Sequence, residues 1–162
     1  MTNNDCLRRI RYILDFSDNK MISIIGLANV KTDRKEISAW LKQDADKNFE
    51  ECSDTSFAAF LNGMIIALRG EKEGRAPRTE TKLNNNMIFM KLKIALDLRA
   101  DQILQILNSA GQEISKHELS AFFRRPGHKH YRECKDQILR NFLNGLSTNS
   151  VSYTHLTLPT KA

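Results

Sequence analysis

The sequence predicts an all-α protein, a tandem duplication of a four-helix, helix-turn-helix-like unit whose two copies pack as a pseudo-twofold pair. Three observations carry that expectation. Shifting the chain by 82 residues aligns Asn3–Gly63 with Asn85–Gly145 without a gap, and about 17 of 61 positions are identical. Apolar residues recur at helical spacing in both copies, and capping residues stand in front of them. No stretch alternates apolar and polar residues with the period of two that a half-buried strand requires.

Each helix has its own signal. The first spans about Asn4 to Leu14, with Leu7, Ile10, Arg11 and Leu14 on one face, so Arg11 must lay its stem along the core edge. The second starts near Ser17 or Asp18, turns Met21, Ile24, Ile25 and Ala28 inward and stops at Asn29. Gly111 is the matching stop, and both residue types tolerate a left-handed cap. A capping box opens the third helix in each copy, Asp33 with Glu36 and Ser115 with Glu118. Its inward face is Ile37, Trp40 and Leu41, or Leu119, Phe122 and Phe123.

The fourth helix, SDTSFAAFLNGMIIALRG, is apolar nearly all round and must be covered on more than one side. Gly63 and Gly145 lie inside the two fourth helices, where glycine costs about 1 kcal/mol relative to alanine. Another helix is therefore expected to approach closely there. A lone copy of this size would be marginally stable, so the two copies should pack together, through their fourth helices. The resulting organisation is a first helical repeat over 1–69, a charged linker over 70–83 and a second repeat over 84–148. Residues 149–162 are read as a non-native tail, because VSYTHLTLPT matches one reading frame of a sequencing-library adapter.

Composition narrows the class of function. The 41% hydrophobic and 27% charged content is that of an ordinary globular chain, and no apolar run approaches the roughly 20 residues that cross a bilayer. MTNNDCLRRIRYIL is polar and then amphipathic, unlike a signal peptide. Cys6, Cys52 and Cys134 form no disulfide framework, and free thiols point to the cytoplasm.

The net charge of +6 permits an acidic partner and is unevenly spread. Residues 3–63 carry 9 basic and 10 acidic side chains, whereas 85–145 carry 10 and 6. Any nucleic-acid surface should therefore belong mainly to the second repeat.

The stretches NNDCLRRIRYIL, ECSDTSFAAFLNG, LNNNMI and SKHELSAFFRRPGHKHYRECKDQILRNFLNGL carry a resemblance. Together they make residues 1–147 similar to the YehS-like family of small bacterial proteins, which share a domain of unknown function. The resemblance implies a bacterial cytoplasmic protein with a duplicated helical domain. It brings no activity and no catalytic residues with it.

Candidate functional residues come from the third helices and the loops after them. In a helix-turn-helix the third helix enters a DNA major groove. Its outward positions here are Arg34, Lys35, Ser38 and Lys42, and in the second copy Lys116, His117, Ser120 and Arg124. The following loop, RRPGHKHYR, adds Arg125, His128, Lys129, His130, Tyr131 and Arg132. Cations there suit phosphates, the tyrosine can stack on a base, and the histidines would strengthen the contact as pH falls toward 6. The same composition suits a solvated loop or a contact with an acidic protein.

DNA or RNA is thus the leading partner. A protein partner or second subunit on an uncovered apolar face of the fourth helix, around Met64, Ile65 and Ile66, is the alternative. A metal site joining His128, His130 and Cys134 with His117 is a minor reading, since the cysteine has no near ligand partner. No nucleophile, base and orienter come together in the sequence, so no catalytic set and no cofactor is expected.

Overall fold

The computed structural model describes residues 1–70 and 78–148, and all regular structure among them is helical. The first repeat comprises α1 (Asn3–Leu14), α2 (Asp18–Leu27), α3 (Arg34–Leu41) and α4 (Asp54–Arg69). The second comprises α5 (Asn85–Ala95), α6 (Ala100–Ser109), α7 (Lys116–Phe122) and α8 (Asp136–Thr148). Part of the expected linker, 71–77, and the expected tail, 149–162, lie outside the described residues.

Local chemistry sets the helix boundaries. Thr2, Ser17, Asp33 and Ser53 each accept a hydrogen bond from the first turn of their helix in the first repeat. Asn29 (φ 63°) and Gly111 (φ 83°) adopt the left-handed conformation where α2 and α6 stop, as their residue types predict. Asp15 and Asp97 take the same conformation just beyond α1 and α5.

One expected cap is only half made. Asp33 accepts from the Glu36 amide at 2.9 Å, but the Glu36 carboxylate is taken by the Thr32 hydroxyl at 2.6 Å. Ser115 and Glu118 complete the reciprocal box at 3.0 and 2.8 Å. Position 114 is an isoleucine, so no hydroxyl competes there.

The core is continuous across both repeats and contains Ile10, Met21, Ile25, Ile37, Phe57 and Phe60 beside Phe89, Ile103, Leu107, Leu119, Phe142 and Leu146. Trp40 and Phe122 are buried in it, while Leu41 and Phe123 are half-buried at its edge. Gly63 explains how α4 reaches α2. A Cβ there would lie 1.9 Å from the Ile24 carbonyl oxygen, and one on Gly145 would lie 2.1 Å from that of Ile106. Only glycine permits this approach.

Those glycines also correct the expected packing between repeats. The slim face of each fourth helix is used up against the second helix of its own repeat, so the fourth helices do not form the principal contact between copies. Instead α4 packs on α5 and α1 packs on α8, a reciprocal exchange of first and fourth helices. Polar contacts repeat this pseudo-twofold relation. The Leu83 amide donates to Asp54 at 2.9 Å, and the Met1 amine, 82 residues earlier, donates to Asp136 at 2.7 Å. Lys91 Nζ donates to Asn62 at 2.6 Å, and Arg9 donates to Asn144 at 2.5 Å. With α2 and α5 laid against α4, Met64 is buried and Ile65 and Ile66 are half-buried.

Candidate nucleic-acid interface

A paired asparagine at the start of each repeat shapes the loop that carries the candidate residues. Asn86 sits buried in the first turn of α5 and donates through Nδ2 to the carbonyls of Phe122 (3.0 Å) and Arg132 (2.8 Å). Its Oδ1 accepts from the Cys134 amide at 2.9 Å. Asn85 beside it donates to the Cys134 carbonyl at 3.0 Å and to Asp136 at 2.7 Å. Both ends of the loop are therefore tied to α5. Asn3 and Asn4 repeat the arrangement around Trp40, Glu50, Cys52 and Asp54. A buried amide with every group satisfied fixes one loop path, because any other would strand polar atoms.

The loop itself begins with a turn closed by the His128 amide on the Arg125 carbonyl at 3.0 Å. Pro126 supplies the fixed φ of its second position and Gly127 (φ 96°) the left-handed third, a type II pattern. A second turn follows, with the Tyr131 amide on the His128 carbonyl at 2.9 Å. The strand of loop after it folds back on α7, where the Arg132 amide reaches the Ala121 carbonyl at 3.1 Å. In the first repeat the Glu50 amide does the same to Ala39 at 3.2 Å, forming one side of a cleft of about 580 Å³. Lys35, Ser38, Lys42, Lys47, Phe49 and Glu50 are among its lining residues. Shifted by 82, these positions are His117, Ser120, Arg124, Lys129, Tyr131 and Arg132.

The ten second-repeat candidates thus occupy one helix and the loop that returns to it. Lys116, His117, Ser120, Arg124, Arg125, His128, Lys129, His130 and Arg132 are exposed, and Tyr131 is half-buried. The rings of His117 and His130 stand 6.1 Å apart across the gap between α7 and the loop, with His128 at 5.5 Å from His130. Among the described residues Lys116, Arg124, Arg125 and Lys129 make no ion pair. Glu118 is already committed. Its hydrogen bonds with Ser115 hold its carboxyl below the usual range, against a small opposing effect of burial, and Arg132 and His117 add to the depression. Lys35 and Lys42 line the corresponding cleft of the first repeat, alongside Asp33, Glu36 and Glu50, and Arg34 is the first residue of α3. Arg34 is hydrogen-bonded to Asn19 at 2.8 Å.

Two local arrangements bear on the chemistry of this loop. His128 Nδ1 accepts the His130 backbone amide at 3.0 Å, a bond that exists only while that nitrogen is unprotonated. Cys134 is buried, 2% exposed, while the three histidines are on the surface, so the four do not form one ligand set. Among the described residues no group of three or more histidine, cysteine or acidic side chains is placed to hold a metal ion. Burial pushes the Cys134 thiol up to about 12, and Cys6 and Cys52 likewise.

Sequence reasoning missed the asparagine pairs. Their signal was present, since positions 3 and 4 are identical to 85 and 86 and Asn4 and Asn86 fall on the inward face of a helix.

Comparison with known proteins agrees with the two-repeat architecture. The chain is 41% identical over 148 residues to the uncharacterized protein YehS of Escherichia coli (strain K12), covering 91% of this chain and 95% of that protein. No solved structure matches it. The family described as "Protein of unknown function (DUF1456)" matches twice, over residues 3–70 and 85–150. One copy of that domain therefore corresponds to each four-helix repeat, and the chain belongs to the DUF1456 family.

Proposed function

We propose that the protein is a non-enzymatic, cytoplasmic nucleic-acid-binding protein that holds DNA or RNA on the α7 surface of its second repeat. The observation that carries the reading is the charge of one segment compared with its sister. Residues 116–135 hold six basic and two acidic side chains with three histidines, whereas 34–53 hold four basic and five acidic ones with none. Lys116, Arg124, Arg125 and Lys129 are exposed and make no ion pair among the described residues, on α7 and a loop whose ends are fixed by Asn86. Such an array neutralises backbone phosphates and releases their counterions. Tyr131, half-buried at its edge, offers a ring face to an unstacked base.

Fluorescence anisotropy of labelled duplex DNA and single-stranded RNA, at low and near-physiological salt, tests this. Binding that weakens steeply with salt, and is lost on replacing Arg124, Arg125, Lys129 and Arg132 together by glutamine, is the expected result. Absence of binding at low salt would overturn it.

A further inference from the structure

The pseudo-twofold relation gives the molecule two equivalent grooves between a first and a fourth helix, and only one is occupied by the described residues. In the α4/α5 groove the described end of the linker brings in Glu80. Its carboxylate accepts from Lys91 Nζ at 2.8 Å and from Asn62 Nδ2 at 3.1 Å, with Lys91 also bonded to Asn62. In the α1/α8 groove the corresponding residues are Arg9 and Asn144, bonded to each other in the same way. No carboxylate meets them among the described residues, and the Asn144 amide nitrogen has no acceptor there. This groove stands open, with a volume of about 310 Å³, and is lined by Arg8, Arg9, Tyr12, Ile13, Leu143 and Asn144. Tyr12 beside it is 75% exposed, the largest exposure of any large hydrophobic side chain described.

We propose that the α1/α8 groove is a docking site for an extended, glutamate-bearing segment of a partner protein, whose glutamate takes the place that Glu80 takes in the sister groove. The chemistry is read from the occupied copy. A cation and an amide, one on each helix, hold one carboxylate between them, and the same segment is held through its Leu83 amide by Asp54 at the start of α4. Arg9 suits the role better than lysine for an incoming ligand, because its planar guanidinium retains donors for a carboxylate after bonding Asn144. Tyr12 supplies apolar area beside the charge, as interface anchors do. Arg8 is already paired with Asp5 at 2.6 Å and bonded to the Lys42 carbonyl, so Arg9 is the groove's available cation. The proposal concerns a different surface from the α7 interface and does not depend on it.

The probe is the occupied groove's own sequence, the peptide RTETKLN (residues 78–84), acetylated and amidated so that the glutamate is its only carboxylate. Titration into the ¹⁵N-labelled full chain should shift resonances of α1 and α8 around Arg9, Tyr12 and Asn144. The same peptide with glutamine for glutamate should bind about tenfold more weakly, the worth of one charge-assisted hydrogen bond. Arg9→Gln in the protein should remove that difference between the two peptides. Arg9 is half-buried on the helix surface, and the spectrum of the variant reports whether it is folded. Absence of shifts at saturating peptide, equal binding of the two peptides or shifts confined to other helices would each overturn the proposal. Shifts in the groove on raising protein concentration alone would assign it to a second copy and overturn it too.

Discussion

The two repeats share one backbone plan and differ in what they present to solvent. Among the residues kept between them are several whose replacement the fold would feel: the Asn3/Asn4 and Asn85/Asn86 pairs, Cys52 and Cys134, Asp54 and Asp136, Gly63 and Gly145. Each makes a contact that its counterpart makes in the other half. The loops after α3 and α7 have drifted apart. Asp44, Asp46 and Glu50 stand where the second repeat has Pro126, His128 and Arg132. Both loops nevertheless close the same two turns and meet their helix at the same carbonyl. A duplicated fold thus separates the residues that hold the chain together from those free to acquire a surface chemistry of their own.

The largest test of that equivalence is Gly63→Ala set against Gly145→Ala. The new methyl would fall at 1.9 or 2.1 Å from a carbonyl oxygen, and helix α4 or α8 must move away from its partner. Each should lose about 3 kcal/mol, the upper range for overpacking, as read by urea unfolding. Strongly unequal losses would break the claim that the two contacts are alike.

Asn4→Ala and Asn86→Ala come next and separate stability from binding. Each leaves a cysteine amide and two carbonyls without their partner, for a loss of about 2 kcal/mol or more in either repeat. Only Asn86→Ala should also weaken nucleic acid in the anisotropy assay, since it releases the basic loop. A smaller effect is expected from Lys42→Gln with Lys47→Gln, which should leave affinity nearly unchanged. In the second repeat, by contrast, each lost phosphate contact should flatten the dependence of log K on log salt by about 0.9. Equal effects in both repeats would make the reader symmetric and contradict the charge comparison.

The smallest effect belongs to Glu80. Burial raises its carboxyl, but hydrogen bonds from Lys91 and Asn62 outweigh that and hold it below the ordinary 4.5. The folded state therefore favours the carboxylate. The stability this contributes is present above pH 4.5 and is lost as pH falls through the lower folded value. Glu80→Gln should remove that part of the acid dependence and lower stability at pH 7 by less than about 1 kcal/mol, measured by urea midpoints at pH 7 and pH 4. The α1/α8 side has no such carboxylate among the described residues and should show no matching loss.

Much of this architecture was legible in particular residues. Helical spacing from Leu7 to Ile10, the stops at Asn29 and Gly111, and the glycine inside each fourth helix each named a local event that the structure contains. The candidate interface was legible as a composition, RRPGHKHYR, and its exposure follows from there being too little apolar surface in it to bury. The gathering of His117 toward His130 was not legible, because it depends on the loop returning to α7. That return is decided by Asn86, 36 residues before Phe122 and 46 before Arg132, and a pairing at such separation leaves no periodic trace.

By itself the sequence determined helix positions, the duplication, the paired glycines and the side on which positive charge accumulates. These are local or internally repeated properties, set by side-chain sterics, capping and the 82-residue register. Only the tertiary structure decided that first helices pack on the fourth helices of the other repeat, and that Glu80 fills one groove while Arg9 and Asn144 line an open one. The physical reason is that each glycine admits only one close neighbour. Once α2 and α6 have taken those places, the remaining faces of α4 and α8 are left for the helices of the opposite repeat.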